Sequence, residues 1–238
     1  MIFRKVLVDL LNILRQLRTD IALPIVYLKF KTRKFENRKN ILDFAFSGSM
    51  GAIKPSQVKS EIEKVLALLN EHKAKNGLEI GTNNGGTLFL FANAVRPNGM
   101  LVSVDLPGGM YGGGYSSVRI PLYRSFARGR TEISLIREDS HLPGTLEKVK
   151  KTIGDVKLDF IFIDGDHSYE GVKKDFEMYS PLVKKNGLVV FHDIAVHPPE
   201  LKCDVHRFWG EIKKKYRHVE FVEAPAQAWA GIGVIFKP

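Results

Sequence analysis

Two acids and two histidines stand at the ends of two apolar segments whose composition is typical of buried strands. Asp164 ends the run LDFIFID and His167 follows it, while His192 and Asp193 end the run GLVVFHD. An alcohol is too weak an acid to lose its proton unaided at neutral pH. A divalent ion can lower the pKa of a hydroxyl, and a histidine, whose ordinary pKa is about 6.5, can accept the proton. These four residues therefore provide the means to activate a hydroxyl group.

A glycine-rich turn follows another apolar segment, at residues 77–81. The turn reads GTNNGG from Gly81 to Gly86, and Asp105 ends the next apolar segment, MLVSVD. Glycine permits a tight turn, and a carboxylate at the end of the second segment can accept hydrogen bonds from both hydroxyls of a ribose. Dinucleotide sites and adenosyl-ligand sites share this pair of features.

Two residues favour S-adenosylmethionine (SAM) over a nicotinamide cofactor. Asn83 takes the place of the middle glycine in a G-x-G-x-x-G motif, which weakens close contact with a pyrophosphate. Glu79 lies near the end of the first segment, where its carboxylate repels phosphates but suits the cationic amino-acid end of a ligand. SAM has such an end and carries no phosphate. A nicotinamide-dependent oxidoreductase remains the alternative enzyme class.

The segments that carry these residues alternate between strand-like and helix-like patterns. Strands are predicted at residues 77–81, 100–105, 133–136, 158–164, 187–193 and 231–236. Helices are predicted at residues 56–69, 87–94, 145–152, 169–182 and 208–216. This alternation predicts an α/β fold with a Rossmann-like, doubly wound, mostly parallel sheet. In such sheets ligands bind at the carboxyl ends of the strands, where the residues considered above are predicted to lie.

From about Gly77 to Phe236 the sequence resembles the class I SAM-dependent methyltransferases. The motifs LEIGTNNGG, VSVD, REDS, FIFIDGDH and VVFHD carry the resemblance. The segments DLPGG, GGGY and DGDHSYEGVKKDF are similar to the small O-methyltransferases grouped with macrolide-sugar and rhamnosyl methyltransferases and with cephalosporin-hydroxylase-type proteins. The resemblance implies methylation of a hydroxyl on a sugar, polysaccharide or glycolipid-like acceptor.

The resemblance also implies roles for individual positions. Asp164 and His167 match a D-x-x-H motif that supplies a metal ligand and then a general base, so both are predicted to be catalytic. Seven residues are predicted to contact SAM: Glu79, Gly81, Asn83, Gly85, Asp105, Asp139 and Ser140. The predicted metal ligands are Asp164, His192 and Asp193, with Mg²⁺ or Mn²⁺ as the ion and Asp166 as a substitute oxygen ligand. His192 replaces one of two adjacent acidic ligands of the family, and imidazole suits softer ions than Mg²⁺.

Two further segments allow more than one interpretation. Aromatic and basic residues near the glycine-rich loop after Asp105 are predicted either to contact a polar acceptor or to form a solvated loop: Tyr111, Tyr115, Arg119, Tyr123 and Arg124. Residues 44–53 (FAFSGSMGAI) mix glycine with apolar residues, which is typical of a lid over an active site. His197 is predicted to be a structural or surface residue.

The net charge is concentrated near the N-terminus. The 238 residues include 36 basic and 26 acidic side chains, a net charge of +10, and residues 1–40 carry ten of the basic and three of the acidic ones. Apolar residues in that segment follow helical spacing, so we divide the chain into a basic amphipathic helical extension, 1–40, and a methyltransferase domain, 41–238. The extension is predicted to pack on the domain or another subunit, or to attach peripherally to an anionic membrane. Nucleic acid is disfavoured, because the segment lacks stacking aromatics and a recognisable binding module.

A single cysteine, Cys203, excludes a disulfide framework within the chain and indicates a reducing compartment, so a cytoplasmic location, with or without membrane attachment, is expected. The sequence thus predicts a SAM-dependent O-methyltransferase acting on a small-molecule or carbohydrate acceptor, with or without help from a divalent metal. Assembly into a homo-oligomer stays open. The alternative from another class is a SAM-binding, non-catalytic partner of a membrane glycosyltransferase.

Overall fold

A single sheet forms the centre of the protein. The computed structural model describes residues 20–107 and 114–238. Its strands are β1 Asn76–Ile80, β2 Met100–Val104, β3 Glu132–Ile136, β4 Leu158–Ile163, β5 Val183–His192, β6 His218–Phe221 and β7 Ile232–Phe236. Their order across the sheet is β3-β2-β1-β4-β5-β7-β6. The first five are parallel to one another, and β7 pairs antiparallel with both β5 and β6.

Helices cover both faces of the sheet. They are α1 Leu23–Thr32, α2 Arg38–Asp43, α3 Lys59–Glu71, α4 Gly86–Ala94, α5 Ile120–Arg124, α6 Pro143–Ile153, α7 Tyr169–Tyr179 and α8 Val205–Ile212. One apolar cluster contains side chains of α1 to α5, and the other contains side chains of α6 to α8. In β4, Phe160 and Phe162 belong to the first cluster while Ile161 and Ile163 belong to the second. The strand is apolar throughout because both of its faces are buried.

The predicted Rossmann-like fold is confirmed, and its parallel strands bring their carboxyl ends to one edge. The paired positions Ile80↔Val104 and Ile80↔Ile163 place the ends of three strands side by side. Sequence patterns missed β6, and the predicted helix at 208–216 instead spans Val205–Ile212. The helix predicted from residue 56 begins instead at Lys59, and residues 56–58 before it are not helical.

The described part of the N-terminal extension packs on the domain. Val26 and Phe30 of α1 are buried in the first apolar cluster, where the ring of Phe30 meets Phe89 edge-on with centroids 5.8 Å apart. Asp20, just before α1, pairs with the buried Arg119 at 2.7 Å. Residues 1–19, which carry most of the predicted amphipathic pattern, lie outside the described residues, as do residues 108–113 with Tyr111. The domain boundary at residue 40 stays a prediction.

Within the described ranges, no helix combines the length and the apolar character needed to cross a lipid bilayer.

Candidate active site

The turn after β1 is tightly enclosed by protein. Gly81 and Gly85 have φ values of 92° and 75°, a region that favours glycine. A Cβ at Gly81 would overlap the carbonyl oxygen of Asp164, and a Cβ at Gly85 would lie 2.5 Å from the ring of Tyr123. Asn83, with φ 46°, completes the sharp bend between them. The glycines are therefore required by packing against Asp164 and Tyr123 even before any ligand is considered.

Asp105 lies directly beside this turn. Its Oδ2 accepts a hydrogen bond from the backbone N–H of Asn83 at 3.1 Å, and the residue is only 7% exposed. Burial raises the pKa of Asp105 from 3.8 to about 6, although backbone N–H groups oppose the change. The carboxylate and the turn thus form one rigid unit, as a ribose-binding site requires.

Glu79 is a buried carboxyl group at the base of the same turn. It is 2% exposed, and neither oxygen has a hydrogen-bond partner with good geometry among the described residues. Burial raises its pKa well above the ordinary value, outweighing the lowering by the nearby Thr82 hydroxyl. An unpaired buried carboxyl group is costly, and a cationic ligand group would relieve that cost. This fits the predicted role of Glu79 towards the ammonium group of SAM.

Asp139 and Ser140 follow β3, two strands away from the turn. Asp139 Oδ1 accepts a hydrogen bond from the backbone N–H of His141 at 2.8 Å, and the carbonyl of Ser140 accepts one from the Tyr179 hydroxyl at 2.7 Å. The Asp139 side chain is 40% exposed. Both residues lie at the same edge of the sheet as Asp105, where they could contact an adenine ring.

The predicted catalytic and metal-binding residues converge after β4 and β5. His192 Nδ1 lies 3.1 Å from Asp164 Oδ1 and 3.2 Å from Asp193 Oδ1. The imidazole of His167 lies between the same acids, with Nε2 3.4 Å from Asp164 Oδ1 and Nδ1 3.3 Å from Asp193 Oδ2. Asp193 has φ 62°, an uncommon conformation for a non-glycine residue that often marks functional positions.

Opposite charges stabilise each other in this cluster. Burial alone would lower the pKa of His192, but the carboxylates of Asp164 and Asp193 raise it well above its ordinary value. For His167, too, burial favours a lower pKa, and Asp164 and Asp193 more than compensate. Burial would raise the pKa values of Asp164 and Asp193, yet both are lowered, chiefly because His192 is beside them. The cluster therefore suits positive charge held between two carboxylates.

The same cluster fits a divalent metal ion. Ligand atoms of Asp164, His192 and Asp193 all lie within 4.8 Å of one another, as do those of His167, Asp193 and Cys203. His192 is 4% exposed; its Nδ1 lies close to both carboxylates without hydrogen-bond geometry, and its Nε2 has no hydrogen-bond partner among the described residues. An imidazole with two carboxylates suits Mn²⁺, Fe²⁺ or Zn²⁺ better than Mg²⁺. Asp166 does not join either group: its Oδ1 accepts a hydrogen bond from Ser168 N–H at 2.8 Å, at the start of α7.

The sequence analysis missed Gln57 and Glu61 as supporting residues, and it predicted His197 only to be a structural or surface residue. Gln57 donates a hydrogen bond from Nε2 to Asp164 Oδ2 at 2.8 Å, and His197 Nε2 lies 3.1 Å from Asp193 Oδ1. Glu61, fully buried on α3, accepts hydrogen bonds from the backbone N–H of Gly231 and from two other donors. No local motif marks Gln57 or Glu61, because each forms its hydrogen bond with a residue more than 100 positions away in the sequence. His197 lies four residues after Asp193, a short spacing that could have suggested contact.

The segments with open interpretations lie beneath and beside the turn. Tyr115, Arg119 and Tyr123 are buried, so they form neither a solvated loop nor an open acceptor surface. The Tyr123 hydroxyl donates to the carbonyl of Asn83 at 3.0 Å. Residues 44–53 form a π-helical turn, Phe44–Gly48, and further turns that bring the carbonyl of Ile53 against Gly86. Their role as a lid stays a prediction.

Residues 78–194 match the sequence model of a family described as a methyltransferase domain. This range extends from β1 to just beyond Asp193, so it contains the turn, Asp105 and the acid–histidine cluster. An uncharacterized protein of Sinorhizobium fredii is 27% identical over 172 residues. That similarity covers 71% of this chain, but the chain spans only 18% of the length of that relative.

Solved methyltransferases share the fold. An O-methyltransferase from Bacillus cereus, solved with S-adenosylhomocysteine (SAH), is 16% identical with a TM-score of 0.57, covering 87% of this chain and 93% of its own. TomG from Streptomyces achromogenes, an O-methyltransferase of tomaymycin synthesis solved with SAM, is 16% identical with a TM-score of 0.56, covering 90% of this chain and 95% of its own. The family match identifies residues 78–194 as a methyltransferase domain, and the solved structures show that the chain has the fold of class I methyltransferases.

Proposed function

We propose that the protein is a SAM-dependent O-methyltransferase that methylates a hydroxyl of a sugar or glycolipid-like acceptor with the help of a divalent metal ion. The observation that carries this proposal is the cluster of Asp164, His167, His192 and Asp193. It lies directly against the glycine-rich turn at residues 81–86, which we call the cofactor turn. Asp164 links the two, because its backbone packs on Gly81 while its side chain contacts both histidines. The cofactor turn and the proton-accepting group are thus held at one site.

The cofactor turn and its neighbours would hold SAM by its two polar ends. Glu79 would pair with the ammonium group of the methionine part, and Asp105 would accept the ribose hydroxyls. The sulfonium of SAM supplies an electrophilic methyl group. Transfer is an in-line displacement, so the protein must hold the acceptor oxygen opposite the departing sulfur.

His167 would serve as the general base for the acceptor. Asp193 Oδ2, 3.3 Å from Nδ1, can hold a proton on that nitrogen, so that Nε2 would take the proton of the acceptor hydroxyl and hold it beside Asp164 Oδ1, 3.4 Å away. With SAM bound, the acceptor oxygen would displace the sulfur at the methyl carbon, and the hydroxyl proton would pass to His167 Nε2. The neighbouring carboxylates stabilise the imidazolium that results.

Asp164, His192 and Asp193 would hold the metal ion. Bound there, a divalent ion would lower the pKa of the acceptor hydroxyl. The nicotinamide alternative lacks support, because the matched family is a methyltransferase domain. In addition, Asn83 takes the place of the glycine that would let a pyrophosphate approach the backbone, and the carboxylate of Glu79 would repel its phosphates.

Methyl transfer can be measured by mass spectrometry as the addition of one CH₂ group to hydroxyl acceptors incubated with SAM and the full chain. His167→Ala should abolish transfer and retain SAH binding, whereas His218→Ala, an exposed histidine on β6, should leave transfer unchanged. Retained transfer in His167→Ala would refute its role as general base. Biological activity that survives this substitution, without any detectable transfer by the wild type, would support the non-catalytic partner instead.

A further inference from the structure

We infer that the outer face of α1 docks on an anionic lipid bilayer and presents the active site to a hydroxyl acceptor anchored in that bilayer. The outer face is defined by Ile25 and Leu28 of α1 together with Ile21 just before the helix, and Lys29 and Lys31 lie at its borders. The proposed docking on the bilayer is argued from the exposed side chains and charges of this segment, and it does not depend on the proposed methyl transfer. The membrane-anchored acceptor rests on the proposed methyl-transfer function.

The outer face is an unusual concentration of exposed apolar side chains. Ile21, Ile25 and Leu28 are 78%, 51% and 64% exposed. These three are a quarter of the twelve large apolar side chains that are exposed among the described residues, within a stretch of eight positions. Single exposed apolar residues are ordinary on proteins, whereas a contiguous group marks an interaction site.

The geometry of α1 separates its two faces and places lysines at the border. A residue advances by about 100° around the axis, so Ile25 and Leu28 share one side while Leu23, Val26 and Phe30 lie roughly opposite. The latter three are buried against the domain. By the same rotation Lys29 lies about 70° to one side of the exposed stripe and Lys31 about 90° to the other. Lysines that flank an apolar stripe can reach lipid phosphates while the stripe enters the interface.

The charge of the segment identifies the partner as anionic. Residues 20–40 carry six basic and two acidic side chains, and the preceding 19 residues carry four basic and one acidic. A second copy of the chain would bring the same basic borders face to face in a two-fold interface, which like charges oppose. An anionic bilayer satisfies the apolar stripe and the lysines together.

The outer face is connected to the cofactor turn through a short series of contacts. Asp20, at the start of this segment, pairs with Arg119 Nε at 2.7 Å. Arg119 Nη1 donates to the carbonyl of Ala52 at 2.7 Å and approaches the hydroxyl of Tyr123, which in turn donates to Asn83. The segment that leads into α1 is therefore fixed to the structure directly beneath the turn.

Two more exposed apolar residues are next to the contacts of Arg119 in the sequence. Val118, 60% exposed, precedes Arg119, and Met50, 55% exposed, lies two residues before Ala52. Both are adjacent to contacts made by Arg119. A bilayer that accepts the outer face of α1 would thus meet the rim of the active site, where an acceptor head group could enter without leaving the membrane.

Vesicle binding of the full chain tests this inference. Sedimentation with phosphatidylcholine vesicles should recover little protein, and vesicles containing about 30% phosphatidylglycerol should recover most of it at low salt. Ile25→Glu and, separately, Leu28→Glu should each lower the partition coefficient by about tenfold or more, since each removes apolar contact and adds repulsion. Val156→Glu, at a position 41% exposed in the loop after α6, is the matched control and should bind like the wild type.

SAH binding and circular dichroism, measured on every variant, separate misfolding from lost docking and keep the two proposals distinct. Wild-type protein that ignores anionic vesicles, or that loses binding equally with Val156→Glu, would overturn the docking surface. So would a concentration-dependent dimer that Ile25→Glu dissociates without any vesicle binding, because a second copy would then cover the face. Vesicle binding without SAH binding would instead contradict the proposed function and leave the docking surface supported.

Discussion

The carboxyl group of Asp105 provides a prediction in which stability and ligand affinity change in opposite directions with pH. Burial raises its pKa from 3.8 to about 6, so the folded protein holds this proton more tightly than the unfolded chain does. That difference corresponds to about 3 kcal/mol in favour of the folded state when the group is protonated, below both values, and this contribution is lost as pH rises through about 6. Between pH 4.5 and 7.5 the expected change is about 2 kcal/mol.

Asp105→Asn isolates this contribution from all others. The amide can still accept the hydrogen bond from Asn83 N–H but does not titrate. Urea unfolding of both proteins should show the variant gaining about 2 kcal/mol relative to the wild type when the pH is raised from 4.5 to 7.5. Ligand binding should change the other way, because ribose hydroxyls bind the ionised carboxylate better. Affinity of the wild type for SAH should therefore fall about tenfold from pH 7.5 to 5, more steeply than that of Asp105→Asn.

Two results would refute this reasoning. A constant stability difference between Asp105→Asn and wild type across this pH range would mean that the carboxyl group is not perturbed by burial. Equal SAH affinity in the two proteins at pH 7.5 would mean that Asp105 does not contact the ligand. The pH dependence of the unfolding difference tests burial, and the titration with SAH tests the assigned role.

Three other substitutions or treatments test separate parts of the site. Glu79→Gln should weaken SAH binding about 10- to 100-fold, measured by isothermal titration, because a charge-assisted hydrogen bond to the ammonium group is lost; unchanged affinity would remove Glu79 from the site. Gly85→Ala should lower the free energy of unfolding by roughly 1–3 kcal/mol, because the new methyl group meets the ring of Tyr123 at a positive φ, and a variant as stable as the wild type in urea would contradict this packing. Treatment with EDTA should abolish methyl transfer and Mn²⁺ should restore it, whereas turnover indifferent to EDTA would rule out the metal role of Asp164, His192 and Asp193.

The sequence was sufficient to predict the sheet and the residues at its carboxyl edge. Buried parallel strands such as β4 are apolar throughout, and the glycine-rich turn and the acids directly follow them, so local pattern and position in the fold agree. The short edge strand β6 was missed because its burial alternates and half of its surface faces solvent, which leaves a weak apolar pattern.

Contacts between distant segments were beyond reach of the sequence. The buried Arg119 resembled a loop residue, because its partners Asp20 and Ala52 lie 99 and 67 residues away. Gln57 likewise reaches Asp164 from the loop before α3. Such contacts depend on how loops from different elements pack together at the edge of the sheet. The spacing of apolar residues along the sequence carries no information about that packing. These contacts determine how firmly the predicted site residues are held.

Isothermal titration of the full chain with SAH tests the central claim most directly, because the cofactor turn, Glu79 and Asp105 are all interpreted as a SAM site. One binding site per chain with a micromolar Kd is the predicted result, and Glu79→Gln should weaken it. Absence of binding to SAH and SAM, together with retention of NAD, would contradict the account.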